Sequence, residues 1–113
     1  MGTSLNKLKE ELRYECLSGK EWLGTTADGA YVSDLLSDVM GKAQPGMLWI
    51  TSQVHRNIVA VASLKELSAI IVINERKVDQ EVLEQADSEG VVILASGKPA
   101  FETAGELYRY LIR

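Results

Sequence analysis

The chain has 113 residues, 46% of them hydrophobic, and a formal net charge of −4, with a sequence pI near 5.0. That length suits a single domain, residues 1–113, able to bury roughly two-thirds of its unfolded surface. The acidic balance excludes a general nucleic-acid surface, which needs a cationic patch to displace counterions, and Arg76-Lys77 is the longest basic cluster.

Cys16 is the single cysteine, so no internal disulfide or thiolate metal cluster can form. The N-terminal stretch lacks the apolar core of a signal peptide, and no apolar run approaches the ~20 residues needed to cross a bilayer. A cytoplasmic protein without membrane contact is expected, and a lone cysteine suits a reducing compartment.

Ser4 is placed to cap a first helix whose Leu5, Leu8 and Leu12 share one face. Residues 14–17 read as a short strand. Residues 18–28 are polar, contain Gly19 and Gly24, and read as a loop. From Ala30 the pattern is regular: residues 30–32 form a strand, and Ser33 or Asp34 caps a helix carrying Leu35, Leu36, Val39 and Met40, with Gly41 placed to end it. Gln44-Pro45-Gly46 is a turn, and residues 47–50 form a continuously apolar strand.

Residues 57–67 then read as a helix with apolar residues on most sides, and residues 69–73 as the strongest strand. Asp79 caps an amphipathic helix over 80–88 that Gly90 stops, and residues 91–94 form the next strand. Pro99 fits the first turn of a final helix whose inner face carries Phe101, Ala104, Leu107, Tyr108 and Leu111. Strands alternating with helices imply successive βαβ units, hence a three-layer α/β domain: a mostly parallel sheet with helices on both faces.

In parallel topology the strand ends collect on one edge, where open sheets bind ligands. That edge would present Ser33 and Asp34; Thr51, Ser52, Gln53 and His55; Asn74 and Glu75; Ser96 and Gly97. Polar strand ends are also what any α/β surface loop shows. Ser33 and Asp34 have two readings. As caps they accept first-turn N–H groups; as ligand contacts, Asp34 repels phosphate and prefers a hydroxyl, an amine or a metal.

His55, the single histidine, can contact a ligand or merely start a helix, and nothing local supports pairing it with Cys16 as nucleophile and base. Asp34, Asp38 and Glu75 lack metal-ligand spacing, so no metal site and no cofactor is expected. The dinucleotide-binding glycine pattern is missing, and Gly41-Lys42 lacks the other parts of a P-loop. Trp49, inside an apolar strand, reads as core, whereas Trp22, in the glycine-containing loop, is the better surface candidate.

The run from Gly29 through Ser33-Asp34 to Gly41, with the segment from Leu48 through Thr51-Ser-Gln-Val-His55 to Leu64, closely resembles the DRTGG domain family. Ile70 to Glu75 and the terminal helix continue the likeness, which covers about residues 5–111. The naming motif precedes the second strand. There Gly29 matches the first glycine, but Gly24 and Thr25 stand for the Asp-Arg pair, Asp28 for the threonine and Ala30 for the second glycine.

The resemblance implies a non-catalytic regulatory module. Similar domains accompany CBS domains in regulated inorganic pyrophosphatases and precede the catalytic part of some phosphotransacetylases. A related fold forms the N-terminal domain of HPr kinase/phosphorylase, but this chain carries no P-loop, so kinase activity is not carried over. Stand-alone copies beside iron-hydrogenase and redox genes imply a protein partner in redox or central metabolism.

The expectation is therefore a homodimeric sensor of a small molecule or nucleotide, with Ser33, Asp34, Thr51, Gln53, His55, Asn74 and Ser96 as its ligand contacts. The alternatives are a structural adaptor without ligand and a kinase-related enzyme accessory.

Overall fold

A computed structural model describes residues 2–112. In chain order the elements are β1 (Thr3–Ser4), α1 (Leu5–Leu12), β2 (Glu15–Ser18), a single 3-10 turn (Lys20–Trp22), β3 (Thr26–Ala27) and β4 (Gly29–Val32). They continue as α2 (Leu36–Lys42), β5 (Met47–Thr51), α3 (Asn57–Leu64), β6 (Ala69–Val72), α4 (Gln80–Glu89), β7 (Ile93–Ala95) and α5 (Ala100–Ile112). The main sheet has the order β2-β7-β6-β5-β4. Strands β4 to β7 pair in parallel, and β2 lies antiparallel to β7 at one edge. The expected mostly parallel three-layer architecture is what the chain adopts.

The apolar runs in β5 and β6 are continuous because both sheet faces are covered. Alternation sends Trp49, Ile70, Val72 and Ile93 into a core shared with α2, α3 and α4. Leu48, Ile50, Ile71 and Leu94 go to a second core with Leu5 and Leu8 of α1 and Leu107 of α5. The parallel strands run in sequence order from β4 to β7, so crossovers of one hand stack α2, α3 and α4 on the same face. Among the described residues the parallel strands never reverse order. The sheet therefore lacks the switch-point crevice that usually holds ligands in doubly wound folds.

Several local expectations are corrected. Residues 18–28 are more than a loop. They hold the 3-10 turn and β3, which pairs with β1, while Thr25 O and Leu23 O accept from the Leu5 and Asn6 N–H groups at the start of α1. Ser4 Oγ accepts from Lys7 N as expected.

The third helix stops at Leu64, not at 67. Leu67 N donates to Ala62 O around Glu66, which sits at φ 56. That is a Schellman turn with a non-glycine residue in the left-handed position. Leu67 packs back on the core, so the apolar period runs past the helix end. Gly41 lies inside α2, which ends where Ala43 turns extended.

The inner face of α5 is rotated from the expected one. Thr103, Leu107 and Tyr110 are buried, but Phe101 and Tyr108 are exposed. Both lie just past the rim of the stripe through Ala104, Leu107 and Leu111. On a 3.6-residue helix, aromatic character alone cannot tell that rim from the buried face.

Candidate functional site

The carboxyl ends of the parallel strands carry two polar groupings. The first joins β4 to β5. Asp34 does not cap α2; that helix begins at Leu36 after an extended Leu35, with no side-chain cap. Its Oδ1 accepts from Thr51 Oγ1 at 2.7 Å and from the Ser52 N–H at 2.7 Å, and its Oδ2 accepts from Ser52 Oγ at 2.8 Å. Gln53 Nε2 donates to Asp34 O, and its backbone N–H donates to Thr51 Oγ1.

Partial burial works to raise the Asp34 pKa. The Ser52 N–H, the Thr51 and Ser52 hydroxyls and the nearby Arg76 charge outweigh it and hold the carboxyl below its ordinary value. Ser33 completes the junction: its Oγ accepts from Leu35 N, and its carbonyl accepts from the indole N–H of fully buried Trp49 at 2.8 Å. The capping reading of Ser33-Asp34 thus gives way to a clamp between two strand ends.

The second grouping is a cleft of about 500 Å³ at the ends of β6 and β7. Leu17, Val72, Val78, Leu83 and Ala95 give it apolar lining, and Arg13, Arg76 and Lys77 line it with Glu15, Glu75, Ser96 and Gly97. Three distant segments build it. Arg13 is the left-handed cap of α1 at φ 62, Arg76 and Lys77 precede α4, and Ser96 and Gly97 precede α5.

Among the described residues none of these three cations forms an ion pair. Asn74 and Glu75 bend the loop beside the cleft through two consecutive left-handed residues, φ 62 and 55. Such conformations cost roughly 1–3 kcal/mol each for residues other than glycine and cluster at functional sites.

The sequence-predicted residues therefore divide. Ser33, Asp34, Thr51 and Gln53 come together in the clamp. Ser96 lines the cleft and shares a 2.7 Å hydrogen bond with buried Thr103 of α5. Asn74 stands beside it, its N–H donating to Lys98 O. His55 stands apart, its Nδ1 accepting from Asn57 N at the start of α3, and it borders a separate hollow with Asp79 and Glu81.

Sequence reasoning missed Arg13, Glu15 and the importance of Arg76-Lys77. The one local signal was the basic pair directly following the polar end of β6.

Other candidates fit structural roles. Cys16 belongs to the core on the α1–α5 side, its thiol donates to Ser18 O, and burial pushes its pKa up. His55 follows β5 on the other side of the sheet, flanked in its hollow by α4 residues, so the two are not partners. Asp38 accepts from the Tyr31 hydroxyl at 2.8 Å, away from Asp34's partners. Among the described residues no group of three or more His, Cys, Asp or Glu could hold a metal ion, and no helix is long and apolar enough to cross a membrane. Trp49 is core, whereas Trp22 is 39% exposed and lies against Gly90.

The segment where the resemblance departs from its motif, residues 24–30, lies at the other end of β4 from Asp34. There Asp28 N donates to Gly46 O, and Ser68 Oγ donates to Thr26 O at the amino ends of β5 and β6.

Neither a protein-family model nor a curated protein matches this sequence. A solved structure does match in fold. It is the crystal structure of the CBS and DRTGG domains of the regulatory region of Clostridium perfringens pyrophosphatase, complexed with its activator diadenosine tetraphosphate. It aligns with a TM-score of 0.73 over 93% of this chain at 20% sequence identity. This chain spans less than half of that one, 45%. The fold is thus of the DRTGG type.

Proposed function

We propose that this chain is a cytoplasmic regulatory module that senses a nucleotide or related small anion at the carboxyl edge of its sheet and acts through self-association or a protein partner. The cleft carries this reading. Three cationic side chains, Arg13, Arg76 and Lys77, line it against two carboxylates, Glu15 and Glu75, and among the described residues none of the three forms an ion pair; the volume lies within the ~300–1,000 Å³ range of small-molecule sites. The solved structure with the same fold comes from a regulatory region complexed with a nucleotide activator, which supports the same chemical class.

In this reading Arg13, Arg76 and Lys77 meet phosphate oxygens, and Ser96, Asn74 and the Gly97 backbone offer hydrogen bonds. Asp34, Thr51 and Gln53, with Ser33, fix the neighbouring ends of β4 and β5 outside the cleft lining. His55 shapes the start of α3. A ligand here would bridge the end of α1, the β6–α4 loop and the β7–α5 loop, favouring one arrangement of those elements. The absence of catalysis is part of the proposal.

Thermal-shift titration with ATP, AMP and diadenosine tetraphosphate tests it. A saturable rise in melting temperature, reduced at least about tenfold in affinity by Arg76→Ala or Arg13→Ala with the fold intact, is expected. No shift with any of them at millimolar concentration would sink the sensing reading.

One observation favours a second reading, a structural adaptor without ligand. The polar side chains of Ser33, Asp34, His55 and Ser96 already have internal hydrogen-bond partners. Stable capture of a partner protein by a chain that binds none of these nucleotides would support it.

A further inference from the structure

The exposed flank of α5, just past the rim of its buried face and beside the edge strand β4, carries an apolar stripe. Phe101 is 88% exposed, Tyr108 69% and Ile112 63%. Their spacing of seven and four residues puts them on one side of the helix. Gly105 lies between them, with open space where a side chain would stand, so the middle of the stripe is a shallow groove walled by Phe101 and Tyr108. Glu102 and Arg109 flank it. Both are exposed, and neither forms an ion pair among the described residues. Two helical turns separate them, about 10 Å, too far for them to pair with each other.

We propose that this face is a twofold interface between two copies of the chain, with α5 packed antiparallel on α5; it rests on the self-association reading above. The pattern of side chains along the stripe is symmetric. An axis passing between residues 105 and 106 sets Glu102 opposite the partner's Arg109 at both ends of the seam. The same axis brings Phe101 against the partner's Tyr108 and Ile112, and the two Gly105 backbones together at the crossing.

A parallel pairing would stack Glu102 on Glu102 and Arg109 on Arg109. The stripe is therefore self-complementary in one orientation only, which is what an isologous interface requires. Val32, half exposed on the edge strand β4, extends the apolar surface beside Tyr108 and Ile112. The Ser96–Thr103 hydrogen bond links the cleft loop to this helix, so ligand and dimer would share α5.

Charge reversal tests the proposal by sedimentation of the full chain across a concentration series. Glu102→Arg and Arg109→Glu are each expected to weaken the dimer at least about tenfold, since each creates two like-charge contacts per dimer. The double reversal should restore it to within about threefold. An equimolar mixture of the two single variants should form a mixed dimer tighter than either variant alone. Phe101→Ala should weaken association while leaving the circular dichroism spectrum unchanged.

A dimer indifferent to both single reversals, or no rescue in the double variant, overturns this surface and leaves self-association standing. A wild-type chain that stays monomeric at several hundred micromolar overturns both.

Discussion

Replacing Asp34 by asparagine separates a strand-end clamp from a helix cap. The carboxylate accepts three hydrogen bonds, two from Ser52 and one from the hydroxyl of buried Thr51. Asparagine keeps the shape but offers one acceptor oxygen and turns its amide toward the remaining donors. Hydrogen bonds to a charged acceptor contribute about 1.5–3 kcal/mol when shielded. Asp34 is largely exposed, water replaces part of what is lost, and the net loss should be about 1–2 kcal/mol.

For a chain of this size that is roughly 4–8 °C in melting temperature. Ser33→Ala, which removes one exposed bond to Leu35 N, should cost less than about 0.5 kcal/mol. The pH dependence has a definite sign. The folded Asp34 pKa lies below its ordinary value, so the stabilisation is complete above the ordinary carboxylate range and is lost as pH falls through the folded value. Thermal unfolding followed by circular dichroism should show a constant deficit for Asp34→Asn from about pH 7 to pH 5, closing below about pH 4. A deficit under about 1 °C, or one that persists unchanged to pH 3, would refute the clamp.

Gly19 sits at φ 73, and a Cβ there would lie 2.8 Å from both Val91 O and Val92 Cα; Gly19→Ala should cost roughly 2–3 kcal/mol in urea unfolding, and a neutral result would contradict the packing of β2 on β7. Glu75→Gly should instead stabilise by about 1 kcal/mol, because glycine accepts φ 55 without strain; a loss of stability would mean that the Glu75 side chain contributes more than its backbone costs. Tyr14 is buried and donates to Glu106, and both burial and that carboxylate raise its pKa. In a spectrophotometric titration Tyr14 should ionise above the ordinary phenol value, identified by loss of that late step in Tyr14→Phe; ionisation at the ordinary value while the chain is still folded would place Tyr14 outside the core.

The layer order was legible because burial on both faces leaves continuous apolar runs such as Met47 to Ile50, and glycines such as Gly90 mark real stops. What misled was local similarity between different physical causes. Leu67 continues the helical period because a Schellman turn returns it to the core. Phe101 and Tyr108 are as apolar as core residues yet face outward, and Ser33-Asp34 has the composition of a cap while joining two strands. The cleft was illegible for another reason: Arg13, Arg76-Lys77 and Ser96-Gly97 come from separate segments, and only the strand order brings them together. Sequence resemblance reached the fold type, and the altered motif over residues 24–30 proved to lie at the end of β4 remote from the candidate site.

The most direct test of the sensing account maps ligand contacts by NMR. Diadenosine tetraphosphate or ATP should be titrated into isotopically labelled protein while the amide resonances are followed. The account predicts saturable shifts centred on residues 13–15, 75–78 and 95–97, with smaller changes along α5 and strong attenuation in Arg76→Ala. Saturable shifts centred instead on residues 24–30, or none at millimolar nucleotide, would contradict it.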